Sequence, residues 1–159
     1  MQVFGERRNG GSQAIGAAAV LASKQGKYTH KIQRLYNSYH LKPTNQRAEI
    51  TAMILGLQLA LEKDNRLVSY PRLNVTISSD SKYVVKSMNE WIYKWSSNRW
   101  TNARGEEVVN RDLLEEASGL DDRLRKLGRV TYMWMPRTKN KLADRYCTEE
   151  LDKIECEAY

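Results

Sequence analysis

The stretch "RLNVTISSDSKYVVKSMNEWIYKW" (residues 72–95) changes its period at one aspartate. Before Asp80, Leu73, Val75 and Ile77 alternate, which predicts a buried strand. After it, Val84, Met88, Trp91 and Trp95 recur at spacings of four, three and four, which predicts a helix. An acid at the C-terminal end of a buried strand, just before a helix, lies where open α/β sheets gather their sites. The same acid could serve only as the helix N-cap.

Working outward, "TNQRAEITAMILGLQLALEK" (44–63) reads as a helix with Thr44 as N-cap. Ala48, Ala52, Leu55 and Leu59 give it one apolar face, and Pro43 marks its boundary. Upstream, "AIGAAAVLAS" and "KYTHKIQRLYNSY" read as strands joined at "KQGK". A further strand precedes them. Downstream, "NRDLLEEASGLDDRLRKLG" reads as a helix with Asn110 as N-cap and Gly128 as C′ stop. "RVTYMWM" reads as a strand and "NKLADRYCTEELDKIECE" as a last helix. Three early strands form a meander, and the later β–α–β crossovers make parallel pairs. The expected fold is α/β, with a mixed five-stranded sheet flanked by helices in a single domain over 1–159.

The totals agree with a globular domain. The chain is 41% apolar, enough for a core. No apolar run approaches the ~20 residues of a membrane helix, and the start lacks the pattern of a signal peptide. No membrane partner is expected, and a monomer is. Cys147 and Cys156 lie nine residues apart in the last helix, roughly 13 Å of rise, too far for a disulfide within it. Free thiols point to an intracellular, reducing compartment. With two distant histidines (His30, His40) they make no zinc pattern.

Charge is distributed unevenly. The net charge is +7. Residues 1–34 carry Arg7, Arg8, Lys24, Lys27, Lys31 and Arg34 against Glu6, a net of +5. Residues 82–104 carry Lys82, Lys86, Lys94, Arg99 and Arg104 against Glu90, a net of +4. Segment 106–122 and the residues after Asp144 are acid-rich. One face should therefore attract a polyanion, and nucleic acid is the expected partner.

Two further acids stand near helix starts, Glu49 and Asp144. Taken singly, each is an acid favoured by a helix dipole. Their surroundings change that reading. "TNQRAE", "SSDSKYV", the trio Trp91, Trp95 and Trp100 with Gly105, Val108, Asn110, Asp112 and Leu113, and then "NKLAD" resemble the type 1 ribonuclease H family. The order and distances match from about Asn9 to about Glu150.

The resemblance implies a ribonuclease H-like fold. It also implies a two-metal endonuclease that cuts the RNA strand of an RNA/DNA hybrid. Magnesium, with manganese as a substitute, wants oxygen ligands. Two ions can activate the attacking water and stabilise the leaving oxygen. Glu49, Asp80 and Asp144 match three of the family's four metal acids. Asn9, Asn45, Gln46 and Asn110 match substrate contacts, and amides can both donate to and accept from 2′-hydroxyls. Lys82, Lys86, Lys94, Arg99 and Arg104 fall on or beside the family's basic protrusion. Trp91 and Trp95 are expected to pack the protrusion onto the body, with Trp100 closest to nucleic acid. The family's loop histidine is absent; "WMPRTKNKLAD" brings Arg137 and Lys139, candidates for phosphate contact.

One acid is missing. "MQVFGERRNG" should deliver the first aspartate at the end of a strand. Counting back from Gly16 puts it at Val3; matching Gly5 to the glycine after it puts it at Phe4. Neither can ligate a metal, and Glu6 is the nearest acid. The resemblance makes this acid the bridge between both ions, so little or no nuclease activity is expected. Two explanations stay open: a catalytically dead binder of hybrids or other double strands, or a start that lacks part of the first strand.

Overall fold

The computed structural model describes residues 1–8, 15–24, 27–36, 42–64 and 73–157, with backbone alone at 17–24, 27, 63 and 64. Asn9 and His40 lie outside the described residues.

Three strands, β1 (Gln2–Arg8), β2 (Ile15–Lys24) and β3 (Lys27–Leu35), form the expected antiparallel meander. Two more, β4 (Leu73–Ser79) and β5 (Gly128–Trp134), continue the sheet in parallel. The order is β3-β2-β1-β4-β5, so β1 is central. Its register on β4 pairs Gln2 with Ser78 and Val3 with Ser79. Phe4 therefore follows directly beside Asp80.

Helix α1 (Asn45–Asp64) begins where Thr44 Oγ1 accepts from the Arg47 amide at 3.1 Å. The helix is buried on more than the one face its spacing predicts: Ile50, Met53 and Leu57 are buried as fully as Ala48 and Ala52. It runs between the sheet and α4 (Arg111–Leu127), and a helix walled on both sides is apolar nearly all round. Each large side chain sealed there stabilises the fold by about 1.5–3 kcal/mol. A smaller core lies on the sheet's other face. There Phe4 packs with Ala143, Cys147 and Leu151 of α5 (Lys141–Glu157).

The segment after Asp80 is not one uniform helix. It runs as α2 (Lys82–Lys86), a π-helical turn (Ser87–Trp91) and α3 (Ile92–Ser97). Trp91 and Trp95 lie with ring centroids 5.4 Å apart, and Trp95 and Trp100 6.5 Å apart. Trp100, expected nearest the nucleic acid, is only 6% exposed and packs in the core. Its ring completes the base of the protrusion, and Val108 donates its amide to the Trp100 carbonyl at 2.9 Å.

Two caps also differ from expectation. Asn110 stands at the start of α4 with φ 60° and makes no side-chain cap; its side chain turns toward Arg47 and Gln46. Gly128 ends α4 in an extended conformation rather than the left-handed one. Glycine is needed there for space, because a Cβ would lie 2.0 Å from the Leu73 carbonyl oxygen.

Candidate active site

Strand alternation decides which side chains of β1 reach the site. Val3 is fully buried, and Gly56 of α1 leaves room for it: a Cβ there would lie 3.0 Å from Val3 Cγ1. Gly5 faces the same way, and its missing side chain lets the Ala48 carbonyl approach closely. That contact seats Glu49 beside the strand. Phe4 and Glu6 point to the other face, toward α5.

The three acids arrive from three elements. Glu49, in α1, accepts from Ser81 Oγ at 2.6 Å. Ser81 also caps α2, accepting from the Val84 amide at 3.3 Å. The cap is thus Ser81, and Asp80 is left for other work. Burial pushes the Glu49 carboxyl above its ordinary value, and the charge of Asp80 adds to this against the Ser81 bond. Asp80 Oδ1 accepts from Asn140 Nδ2 at 2.9 Å, and the same amide donates to the Val3 carbonyl at 2.8 Å. Asp144, in the first turn of α5, accepts from Arg137 Nη2 at 3.1 Å.

Arg137 lies in a 3-10 turn (Arg137–Lys139) after β5. Its Nη2 also reaches Glu6 Oε2 at 3.1 Å, and the guanidinium carbon lies 4.7 Å from the Phe4 ring centroid. Beneath it, burial pushes the Cys147 thiol up to about 12. That sulfur is a protonated core group and not a nucleophile.

The substrate candidates divide. Asn45 and Gln46 are exposed at the start of α1, and Asn45 Oδ1 accepts from the Arg7 amide at 3.0 Å. Near them Arg47 clamps Asp112 through two bonds of 2.9 and 2.6 Å and holds its carboxyl below the usual range. An open groove of about 900 Å³ runs between these helix starts, lined by Lys42, Thr44, Arg47 and Asn110 among others. Lys94, Arg99 and Arg104 are exposed on the protrusion. Lys86 lies over Trp91 at 5.3 Å, and Lys82 over Trp134 at 5.1 Å.

Three contributors escaped the sequence reading, Ser81, Asn140 and Trp134, and Glu6 was noted only as the nearest acid. Trp134 is 46% exposed and donates from Nε1 to the Asp80 carbonyl at 3.0 Å. The only signal for Asn140 was its place four residues before Asp144 in "NKLAD". Nothing marked Glu6 except its acid.

The donor set answers what ion it suits. Glu49 and Asp80 are like-charged oxygen donors held by neutral partners, and they fit a hard divalent cation. Asp144 does not fit in the same way, because its carboxylate already faces a guanidinium. Among the described residues no three of His, Cys, Asp and Glu stand close enough to hold an ion.

A mixed sheet of this order, flanked by helices that bring acids from α1, the β4 end and the α5 start, defines a ribonuclease H-like α/β fold. The sequence profile of the RNase H family matches residues 6–151, and the chain belongs to that family. The ribonuclease H of Pseudomonas putida is 31% identical over 115 residues, covering 70% of this chain and 69% of that one. The ribonuclease H of Pelobacter propionicus is 44% identical over 73 residues, covering 46% of this chain but 39% of its own length. The chain thus spans less than half of that relative. A foamy viral protease-reverse transcriptase, solved in complex with an RNA/DNA hybrid, superposes with a TM-score of 0.71 at 21% identity. That match covers 93% of this chain and 19% of the viral one, and it shows a shared fold. RNase H proteins generally work with divalent metal ions. No described helix is long and apolar enough to cross a membrane.

Proposed function

We propose that this chain is a ribonuclease H domain that binds RNA/DNA hybrids and whose hydrolytic site, with Phe4 in it, is impaired. The family match supports hybrid as the substrate class. The observation that carries the impairment is the position of Phe4. It lies beside Asp80 in register, faces α5, and is covered by Arg137. Val3 faces the opposite core, which supports Phe4 rather than Val3 as the place of the family's first aspartate.

In this reading Glu49, Asp80 and Asp144 stand at three of the family's metal-acid positions; Glu49 and Asp80 would hold the ion, magnesium or manganese, and Asp144 is paired with Arg137. A bound ion would polarise phosphate oxygens and lower the pKa of a bound water. The chain's own residues do the rest. Asn45 and Gln46 offer amides to 2′-hydroxyls, with Asn9 as a further candidate. Lys82, Lys86, Lys94, Arg99 and Arg104 meet phosphates, Asn110 lines the groove beside them, and the free edge of Arg137 meets another phosphate. Cys147 and Cys156 are in no disulfide, which suits a reducing compartment.

The test is a labelled RNA/DNA hybrid, followed for binding and for cleavage in magnesium. The chain should bind hybrid in preference to DNA duplex. Phe4→Asp should raise cleavage by on the order of 100-fold, the scale of a lost metal partner. Val3→Asp should instead unfold the chain, because it buries an unpaired carboxylate. Robust cleavage by the chain with Phe4 in place would refute the impairment. Equal affinity for hybrid and duplex would refute the substrate class.

A further inference from the structure

The acids of this site are neutralised in two unlike ways. On one side, Glu49 and Asp80 accept hydrogen bonds from neutral donors, Ser81 Oγ and Asn140 Nδ2, and the charge of Arg137 reaches Asp80 only through space. On the other side, Asp144 and Glu6 share one guanidinium nitrogen of Arg137, 3.1 Å from each. The guanidinium carbon lies over the Phe4 ring, 4.7 Å from its centroid.

Each partner suits a fixed cation. Guanidinium stays charged at any ordinary pH, and its flat, weakly hydrated face stacks on aromatic rings as an ammonium does not. The ring of Phe4 attracts that charge through its quadrupole. An aspartate at position 4 would offer an ion a ligand; a phenylalanine offers a guanidinium a platform. Three elements converge on the arrangement: β1 gives Phe4 and Glu6, the turn after β5 gives Arg137, and α5 gives Asp144. A divalent ion brought to Asp144 would meet this charge at close range and be repelled.

We infer that Arg137 is a built-in replacement for one of the two ions: the chain takes a single divalent ion, at Glu49 and Asp80, and none at Asp144. The inference rests on the metal-binding reading of the acids above. It assigns Phe4 and Glu6 a positive role, as the seat of the arginine, where the family pattern records only a loss. It also explains how a phosphate could approach this half of the site without metal. Arg137 is 57% exposed, and the bonds to Glu6 and Asp144 both use Nη2. Its other guanidinium nitrogens are left to meet a phosphate oxygen.

The experiment counts manganese ions on the folded chain, without nucleic acid, from the paramagnetic resonance signal of the free ion. The native chain should take one. Asp80→Asn should take none, and Asp144→Asn should still take one. Arg137→Ala should gain a second ion that disappears again when Asp144→Asn is added, and Arg137→Lys should return the count toward one. Far-ultraviolet circular dichroism confirms that each variant is folded. Two ions or none on the native chain, or loss of the ion in Asp144→Asn, overturns the inference.

Hybrid binding gives an independent readout. In EDTA the native chain should keep its affinity within about threefold of that in manganese. Arg137→Ala should fall by about tenfold in EDTA, the worth of one charge-assisted contact, and recover when manganese is added. An equal loss with and without manganese would reduce Arg137 to a plain phosphate contact and sink the replacement. If the native chain does not bind hybrid at all, the proposed substrate falls, while the manganese count still decides the role of Arg137.

Discussion

Asn140 joins Asp80 to the central strand: one amide nitrogen lies 2.9 Å from Asp80 Oδ1 and 2.8 Å from the Val3 carbonyl oxygen. Asn140 is fully buried, so these bonds have no competitor in bulk water. Asn140→Ala leaves the Val3 carbonyl without its partner and should cost about 1–3 kcal/mol. Asn140→Asp should cost more, since a carboxylate cannot donate and would face Asp80. Urea unfolding midpoints should fall in the order native, Ala, Asp. An Asp variant as stable as the native chain would show that the amide does not hold Asp80.

Gly5 brings Glu49 to the site by what it lacks. A Cβ at that position would lie 2.1 Å from the Ala48 carbonyl oxygen, which is backbone and cannot swing aside. Gly5→Ala must separate β1 from α1, at a cost of about 3 kcal/mol, the upper end of overpacking. Gly56→Ala is the control. Its Cβ would meet side-chain atoms only, Val3 Cγ1 at 3.0 Å and Ile77 Cγ2 at 3.4 Å, and alanine returns helix propensity of about 1 kcal/mol. Thermal melts should show a large loss for the first and a change within about 1 kcal/mol for the second. Equal losses would mean that the strand and helix are not in the contact described.

These two residues show where sequence reasoning reached and where it stopped. The strand through Ile77 and the helices after Asp80 and Asn140 carry local periods, and local periods set secondary structure. The three acids were found because they stand at element ends, where sites gather. Burial all round α1 was not legible, because it depends on α4 closing over a face that alternation alone leaves open. The burial of Trp100 was not legible for a similar reason: it depends on neighbours such as Trp95 and Val108 that only the fold brings together. The π-helical turn at Ser87–Trp91 keeps the same residue types as an α-helix and announces nothing. Which of Val3 and Phe4 faces α5 was not legible either, because it depends on how β1 sits in the sheet.

Glu49 should make stability depend on pH with a definite sign. Its carboxyl is raised above the ordinary 4.5 by burial, with Asp80 adding to it. Between that ordinary value and the raised one, the folded chain holds more protons than the unfolded chain. Stability therefore falls as pH rises through this window and stays lowered above it. Glu49→Gln keeps an oxygen for the Ser81 hydroxyl and carries no charge. In EDTA at pH 7 it should melt higher than the native chain, by on the order of 2 °C for a domain of this size. The gain should shrink toward zero as pH falls to 4.5 and below, where the native Glu49 is itself protonated. A gain that does not change with pH, or a loss at pH 7, would contradict the burial of this acid beside Asp80.

The protrusion should be readable as a salt slope. Lys94, Arg99 and Arg104 are exposed and stand clear of the acids of the site. Arg99 is held at φ 61°, and the loop around it is tied by Asn98, whose amide donates to the Thr101 carbonyl at 2.8 Å and accepts from the Thr101 amide at 3.1 Å. A loop closed in this way presents its cations at fixed positions, so each can meet one phosphate. Every phosphate neutralised releases counterions and adds about 0.7–0.9 to the slope of log affinity against log salt. Replacing all three by alanine should lower that slope by about 2–3 for a hybrid and leave Phe4→Asp activation intact. Replacing Lys82 should do less to the slope, because its ammonium lies over Trp134 beside Asp80. A triple variant with an unchanged slope would move the nucleic acid off the protrusion.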